Sequence, residues 1–97
     1  MRFTWDAKKN RTNLRDHGLD FVDAWQVFRA LMLTKLDTRE DYGEDRWIGL
    51  GVLDTRVVVI VFTERGEDII RIISLRKATI YERLQYEKTI SKRLGAR

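Results

Sequence analysis

Apolar and polar residues follow one another along the chain in three patterns, and each pattern predicts a different kind of element. Near the N-terminus, the short apolar segment Phe3–Trp5 predicts a strand. Asp6 follows it as a favourable N-cap for a first helix. We expect this helix to stop at Gly18, because glycine readily adopts the left-handed conformation found after helix ends. The first pattern is therefore a strand followed by a polar helix.

The second pattern begins at Asp20, another favourable N-cap. Apolar residues then recur at the spacing of an α-helix with one buried face. They are Phe21, Ala24, Trp25, Phe28 and Leu31. We therefore expect a second α-helix that packs against the core, followed by an extended segment over Leu31–Leu36.

The third pattern, in the second half of the chain, is that of a sheet. Arg46–Leu53 predicts a strand, and Asp54–Thr55 predicts a short hairpin turn. Val57–Thr63 is almost continuously apolar, which is typical of a central strand buried on both faces. Ile69–Arg76 is expected to pair back onto that strand through a turn at Arg65–Gly66.

A capping-box sequence, Thr79–Glu82, opens a last helix that we expect to reach about Lys92. The order of elements predicts an α+β fold, with an antiparallel sheet, N-terminal helices and a C-terminal helix, and with the helices on one face of the sheet. The chain has no proline and no repeat or low-complexity linker, so residues 1–97 are expected to form a single domain.

Composition narrows the classes of function. The chain has no cysteine and one histidine, which excludes disulfides and thiolate sites and argues against a dedicated transition-metal site. No apolar run has the length of a membrane span, and the N-terminus lacks the apolar centre of a secretory signal. We therefore expect a cytoplasmic protein with no cofactor and no membrane contact.

The acidic loop Asp37–Asp45 invites comparison with a calcium site, but it lacks the ligand spacing of a calcium-binding loop. We expect it to be a solvated connector or a landing site for a basic partner.

Charge is segregated along the chain, whose formal net charge is +4. Residues 1–18 contain five Lys or Arg and two acids, residues 19–55 contain four and eight, and residues 56–97 contain ten and five. If the two basic ends pack together, they form a positive face that suits nucleic acid. The alternative is a mixed, solvated surface.

The last predicted strand carries cations within an apolar pattern. Arg71 lies inside it, Arg76 and Lys77 lie at its exit, and Arg65 lies in the turn before it. Because burial of an unpaired charge is costly, these side chains either have carboxylate partners or line a groove. A phosphate backbone is the ligand that best suits a groove lined with arginine.

Two arrangements of Arg71 remain open. Strict alternation puts Arg71 on the sheet face opposite Ser74 and Arg76. Arg71 and Arg76 then line one groove only if a bulge or the strand end re-aims one of them. Alternatively, Arg71 pairs with Glu64 or Glu67 across the hairpin.

Helical spacing brings Lys9, Asn13 and His17 onto one face of the first helix. A cation, an amide and an imidazole in line could bind a phosphate and move a proton. RNA cleavage without a metal needs such groups, together with arginines that stabilise charge on the phosphate. Alternatively, His17 serves only the end of the helix, where the helix dipole favours it.

Two further polar residues lie on the last helix. Glu82 and Tyr86 are one turn apart, but the capping box also explains Glu82, and packing also explains Tyr86. The aromatic residues Trp5, Tyr42 and Trp47 could stack on bases, although such residues in a chain of this size more often belong to the core.

Two segments resemble the BrnT family of type II toxins. The first is W-D-x-x-K-N-x-x-N-L-x-x-H-G-x-x-F-x-x-A, from Trp5 to Ala24. The second is R-I-I-S-x-R-K-A-T-x-x-E-R-x-x-Y, from Arg71 to Tyr86. The central part of the chain, Arg29–Arg46, resembles the family least. In addition, Asp16 stands where the family usually has a basic residue.

The resemblance implies a compact RelE-like fold and an endoribonuclease toxin that arrests translation. It also implies a cognate antitoxin with a ribbon-helix-helix-type DNA-binding part, which brings the complex to operator DNA and represses its own operon. We expect the cleavage to be metal-independent. Matching positions suggest the catalytic candidates Lys9, His17, Arg71, Arg76 and Glu82. The candidates for RNA binding are Asn13, Arg65, Lys77 and Tyr86.

Two other classes of function remain open, a non-catalytic nucleic-acid-binding domain and a protein-interaction domain. Arg71 and Arg76 favour the two nucleic-acid classes over the third. Only the resemblance separates the ribonuclease from the binder, because a binder needs the same cations.

Overall fold

A computed structural model describes residues 1–95 as a five-stranded sheet with helices around it. In chain order, the elements are β1 (Arg2–Trp5), α1 (Ala7–His17), a 3₁₀ helix (Phe21–Arg29), β2 (Leu33–Leu36), β3 (Trp47–Leu53), β4 (Arg56–Glu64), β5 (Ile69–Lys77) and α2 (Ile80–Arg93). The strand order is β1-β5-β4-β3-β2, so β4 is central, as the sequence predicts. The α+β class is confirmed.

The sheet is mixed, and the prediction of an antiparallel sheet is wrong for one strand. β2 to β5 pair antiparallel with their neighbours, whereas β1 pairs parallel with β5 along its length. Antiparallel neighbours are joined here by turns or loops, but almost the whole domain separates β1 from β5 in sequence. No local turn therefore fixes the direction in which β1 pairs.

A β-bulge interrupts the pairing of β4 with β5, and Ile73 is the extra residue. On the N-terminal side of the bulge Ile72 faces the core, and on the C-terminal side Leu75 does. Residues alternate along each part of the strand, so Arg71 and Arg76 share the opposite face of the sheet. The bulge thus meets the condition under which both arginines can lie on one surface.

The segment after Asp20 is a 3₁₀ helix, so the prediction of a second α-helix that includes Leu31 is wrong. Its buried residues are Phe21, Ala24 and Val27, one every three residues, which is the period of a 3₁₀ helix. Trp25, which α-helical spacing places inward, is 42% exposed. A Cβ added at Gly51 of β3 would lie 2.5 Å from Val27 Cγ1. The helix therefore packs very closely on this strand.

The expectation that all helices cover one face of the sheet is also wrong. The 3₁₀ helix covers the core face, whereas Glu82 and Gln85 of α2 border the opposite face beside Val59 and Val61. α1 lies along β5, and its buried Asn13 bonds to the β5 backbone. In residues 1–95, no helix combines the length and apolar character needed to cross a bilayer.

Candidate functional site

A groove of about 430 Å³ lies on the sheet face away from the core, with α2 on one side. Its floor is aliphatic and consists of Leu33, Ile48, Leu50, Val59 and Val61. Three cations border it, Lys35 from β2, Arg39 from the loop after β2, and Arg76 from β5. None of the residues that line it is aromatic. Glu82, which pairs with Arg76, also borders the groove. The groove is thus an apolar strip with three cations and one carboxylate at its edges, and the excess of cations suits an elongated anionic ligand.

Arg76 is held in one orientation by Glu82. The Arg76 Nη1 donates to Glu82 Oε1 at 2.9 Å, and Nη2 donates to Glu82 Oε2 at 3.0 Å. The Arg76 Nη1 also donates to the Lys77 carbonyl oxygen at 3.1 Å. The Nε–H takes no part in these bonds, and the side chain stays 38% exposed. A fixed guanidinium with an exposed edge can bind a phosphate with little further ordering.

Glu82 is itself fixed by the predicted capping box, which is confirmed. The Thr79 N–H donates to Glu82 Oε1 at 2.7 Å, and the Glu82 N–H donates to Thr79 Oγ1 at 3.2 Å. The hydrogen bonds from Arg76, with a smaller contribution from Thr79, lower the pKa of Glu82 to about 2. Glu82 in turn raises the pKa of Arg76. The carboxylate is therefore ionised at neutral pH, a state that suits orienting Arg76 better than transferring a proton.

Arg39 is held in the same way on the far side of the groove. Its Nε and Nη2 donate to the two carboxylate oxygens of Asp37, each at 2.8 Å. Arg39 is the chief cause of a lowered pKa at Asp37, whose side chain is buried. The loop expected to be a solvated connector or a landing site for a basic partner thus contributes a cation to the groove.

A second, shallower depression lies between α1 and the bulge of β5, and we call it the α1 depression. It is bordered by Asp6, Lys8, Lys9, Thr12, Asn13, Asp16, His17 and Ile73. Lys9, Asn13 and His17 therefore share one face, as the helical spacing predicts. Lys9 and His17 are exposed, and the Asp16 carboxylate accepts a bond from Arg15 Nε at 2.9 Å.

Asn13 connects α1 to β5 at the point where pairing with β1 has ended. Its Nδ2 donates to the carbonyl oxygens of Leu75 and Leu19 at 2.8 and 2.9 Å, and its Oδ1 accepts from the Leu75 N–H at 3.1 Å. The side chain is 7% exposed. All its polar atoms are engaged with backbone, which favours a structural role over contact with RNA.

Arg71 lies on the same sheet face as Arg76, but it borders neither cavity. Within residues 1–95 it makes no ion pair with Glu64 or Glu67. Its charge is one of the causes that lower the pKa of Asp6, after the backbone N–H groups that this cap accepts. Arg71 therefore lies nearer the start of α1 than the groove.

The remaining candidates are spread over the surface and the core. Arg65 bonds to Glu44 at 2.9 Å, away from both cavities, and Lys77 is exposed at the end of β5. Tyr86 is buried and its hydroxyl donates to the Leu31 carbonyl oxygen at 2.8 Å, which favours packing.

Aromatic side chains also take structural positions. Trp5 and Trp47 pack against the core cluster, and the Arg46 guanidinium carbon lies 4.1 Å from the centre of the Tyr42 ring. These rings therefore take part in core packing and in a cation–π contact, and none of them lines the groove.

Sequence reasoning missed Lys35 and Arg39 as residues of the groove. Lys35 is paired with Ile48, so it shares the face of the groove floor. The only signal in the sequence was side-chain alternation along the extended segment predicted over Leu31–Leu36, which places Lys35 on the same face as Leu33. Arg39 carried no such signal, because loop geometry decides its direction. In the described part of the chain, no three His, Cys, Asp or Glu residues come together as a metal site would require.

Comparison with known proteins agrees with the two motifs. A family model described as the ribonuclease toxin BrnT of type II toxin-antitoxin systems matches residues 5–82. The chain is also similar to the crystal structure of the Brucella abortus ribonuclease toxin BrnT. That likeness has a TM-score of 0.64 and 28% identity, and it covers 81% of this chain and 97% of that one. No curated protein sequence matches the chain. The match over most of its length shows that the chain belongs to the BrnT family of ribonuclease toxins of type II toxin-antitoxin systems.

Proposed function

We propose that this protein is a metal-independent endoribonuclease that binds single-stranded RNA along the groove and thereby arrests translation. The observation that carries the proposal is the pair of fixed guanidinium groups, Arg76 held by Glu82 and Arg39 held by Asp37, beside one cavity. Cations fixed before the substrate arrives stabilise charge on a phosphate without reorganising during the reaction.

The chemistry that fits these residues is attack by a ribose 2′-hydroxyl on the adjacent phosphorus. The bond from phosphorus to the 5′-oxygen breaks, which leaves a 2′,3′-cyclic phosphate and a 5′-hydroxyl. Arg76 stabilises charge on the phosphate oxygens, and Glu82 positions Arg76 rather than moving a proton. His17 and Lys9 are the candidates for proton transfer and for a further phosphate contact.

The two cavities lie on either side of β5, and consecutive residues of the bulge region border them. Ile73 borders the α1 depression, and Ser74 borders the groove. A strand of RNA that contacts both His17 and Arg76 would have to pass over this part of β5. The proposal therefore requires the bound RNA to cross the bulge. Arg71 lies before the bulge on the same sheet face as Arg76, so it would lie under another part of the bound RNA.

We propose further that a cognate antitoxin with a ribbon-helix-helix-type DNA-binding part neutralises the toxin, and that the complex represses its own operon. Membership of a type II family supports an antitoxin partner. The aliphatic floor and cationic edges of the groove suit an amphipathic segment with acidic residues, which would exclude RNA while bound. Kinship with RelE-like toxins belongs to the same proposal.

Cleavage of end-labelled RNA by the purified protein in EDTA tests the proposal. We expect activity to persist, and the 3′ ends to resist polyadenylation until acid has opened the cyclic phosphate and a phosphatase has removed the resulting monophosphate. Activity that is lost in EDTA and restored by magnesium would contradict metal independence. Binding without any cleavage would favour the non-catalytic nucleic-acid-binding domain.

A further inference from the structure

We propose that Arg39 forms a second phosphate-binding site, which holds the RNA backbone on the side of the groove opposite Arg76 and positions the substrate without taking part in the chemistry. This inference rests on the proposed function only in assuming that RNA occupies the groove. It concerns the part of the chain, residues 29–46, that resembles the BrnT family least.

The first support is the way Arg39 is built into the fold. Asp37 continues the pairing of β2 with β3, since its N–H donates to the Arg46 carbonyl oxygen at 2.7 Å. The Asp37 side chain is only 1% exposed and accepts bonds from the Arg39 Nε, Nη2 and backbone N–H. A buried carboxylate anchored to the sheet thus fixes the plane of the guanidinium.

The second support is the direction of the unused donors. Nε and one N–H of Nη2 face Asp37, so the Nη1 group and the other Nη2 N–H lie on the opposite edge. The Arg39 side chain remains 64% exposed and borders the groove. This exposed edge can donate two parallel hydrogen bonds, which is the geometry that phosphate oxygens accept from arginine.

The third support is the charge across the groove. Arg39 lies close enough to Arg76 to oppose its protonation, although Glu82 outweighs this effect and leaves the pKa of Arg76 raised. Lys35 borders the same cavity and, within residues 1–95, has no carboxylate partner. An anionic ligand with several charged groups can contact these cations together, and an RNA backbone presents one phosphate for each nucleotide.

These features favour a nucleic acid over an acidic peptide as the ligand of Arg39. A single peptide carboxylate would contact one cation, and an acidic segment would contact the three around the groove only if its carboxylates had matching spacing. A repeating polyanion can contact all of them together. The competing result of the test is that binding of an acidic antitoxin segment depends on Arg39, whereas binding of RNA does not.

The experiment measures binding of an RNA oligonucleotide whose 2′-hydroxyls are methylated, so that it cannot be cleaved, over a series of salt concentrations. We expect Arg39→Ala to weaken binding roughly tenfold, at the low end for a lost charge-assisted bond, and to reduce the slope of log K against log salt by about 1. Arg39→Lys keeps the charge but not the fork, so we expect the slope to recover and the affinity to recover only in part.

Arg83→Ala is the matched control, because it removes the same charge from α2 at a residue that borders neither cavity. In cleavage assays on unmodified RNA, Arg39→Ala should raise KM about tenfold and leave kcat unchanged. An unchanged salt slope and KM, a loss equal to that of Arg83→Ala, or a loss confined to antitoxin binding would each overturn the inference. A fall in kcat would do the same.

The two proposals can fail separately. If no cleavage is found but Arg39→Ala still changes the salt slope, the nuclease proposal falls and the phosphate site stands. If cleavage requires Arg76 and is indifferent to Arg39, the nuclease proposal stands and the phosphate site falls.

Discussion

The groove and the α1 depression lie on either side of β5, yet their basic side chains are held in opposite ways. In the groove, Arg76 and Arg39 are each fixed by two hydrogen bonds to a carboxylate. In the α1 depression, Lys9 and His17 are exposed, and within residues 1–95 neither makes an ion pair. The difference separates two tasks, because fixed charge suits binding and charge stabilisation, whereas an unengaged imidazole suits proton transfer.

The sharpest way to break this comparison is to remove the fixed cation of the groove. We expect Arg76→Ala to lower kcat by about 10²–10³, the size seen when one preorganised donor to a reacting group is lost. The melting temperature should fall by no more than about 4–8 °C, because Arg76 is partly exposed, its ion pair with Glu82 contributes only about 1 kcal/mol, and Thr79 still bonds to Glu82. Cleavage within a few-fold of the unaltered protein would show that the groove is not the catalytic surface.

Replacement of His17 tests the other side of β5. If His17 transfers a proton, His17→Gln should lower kcat by about 10², at the low end for a general acid or base, and change the pH–rate profile. Folding should be almost unaffected, since the residue is exposed at the end of α1. Unchanged activity and profile would leave His17 with only its interaction with the helix dipole.

The connection between the two regions can be tested at Asn13. Asn13→Ala would leave the Leu75 N–H and two carbonyl oxygens without partners in a buried position. We expect the free energy of unfolding to fall by about 2–3 kcal/mol, measured by urea denaturation. Arg11→Ala, at an exposed position of the same helix, should change it by less than about 0.5 kcal/mol. A small loss for Asn13→Ala would mean that α1 is held by other contacts.

The smallest effect concerns acid stability. The folded-state pKa of Glu82 is about 2 against an ordinary value of 4.5, so its stabilising effect is complete above about 4.5 and is lost as pH falls toward 2. Glu82→Gln should therefore lower the free energy of unfolding at neutral pH by about 1 kcal/mol, since the side chain is 29% exposed and its ion pair is partly screened.

The stability difference between the Glu82→Gln variant and the unaltered protein should shrink between pH 4.5 and 2, because Glu82 of the unaltered protein becomes protonated over this range. Asp37 and the other carboxyls titrate in both proteins, so their effects cancel in the difference. The control introduces Glu82→Gln into a protein that already carries Arg76→Ala. There, Glu82→Gln should change the free energy of unfolding much less at any pH. A difference that stays constant down to pH 2 would mean that Arg76 does not hold this carboxylate.

Local signals predicted the ends of elements well. Asp6 accepts bonds from the first turn of α1, Gly18 ends that helix with φ of 69°, and the capping box at Thr79 opens α2. The turn at Asp54–Thr55 has the positive φ values of a tight hairpin. Each of these features depends on a few adjacent residues, so the sequence alone contains the relevant interactions.

Features decided by distant parts of the chain were predicted less well. Residues of the 3₁₀ helix fit an α-helical period as well as a period of three, and only close packing against Gly51 and its neighbours distinguishes them. The residue types of β5 do not predict a bulge, and they show only that Arg71 and Arg76 could line one groove if a bulge or the strand end re-aimed one of them. Arg39 was overlooked because net charge describes the loop as acidic, although Asp37 is buried and only the arginine reaches the groove.

The extra residue at Ile73 also decides which changes of chain length β5 can accept. If Ile73 were deleted, Ile72 and Ser74 would pair with the adjacent residues Phe62 and Val61, and Arg71 and Arg76 would still share one face. A strand of the present length without the bulge would instead turn one part over, so that either Arg71 would face the core or the Leu75 side chain would leave it. The loss of one residue at this point is therefore compatible with the fold, whereas the loss of the bulge without the loss of a residue is not.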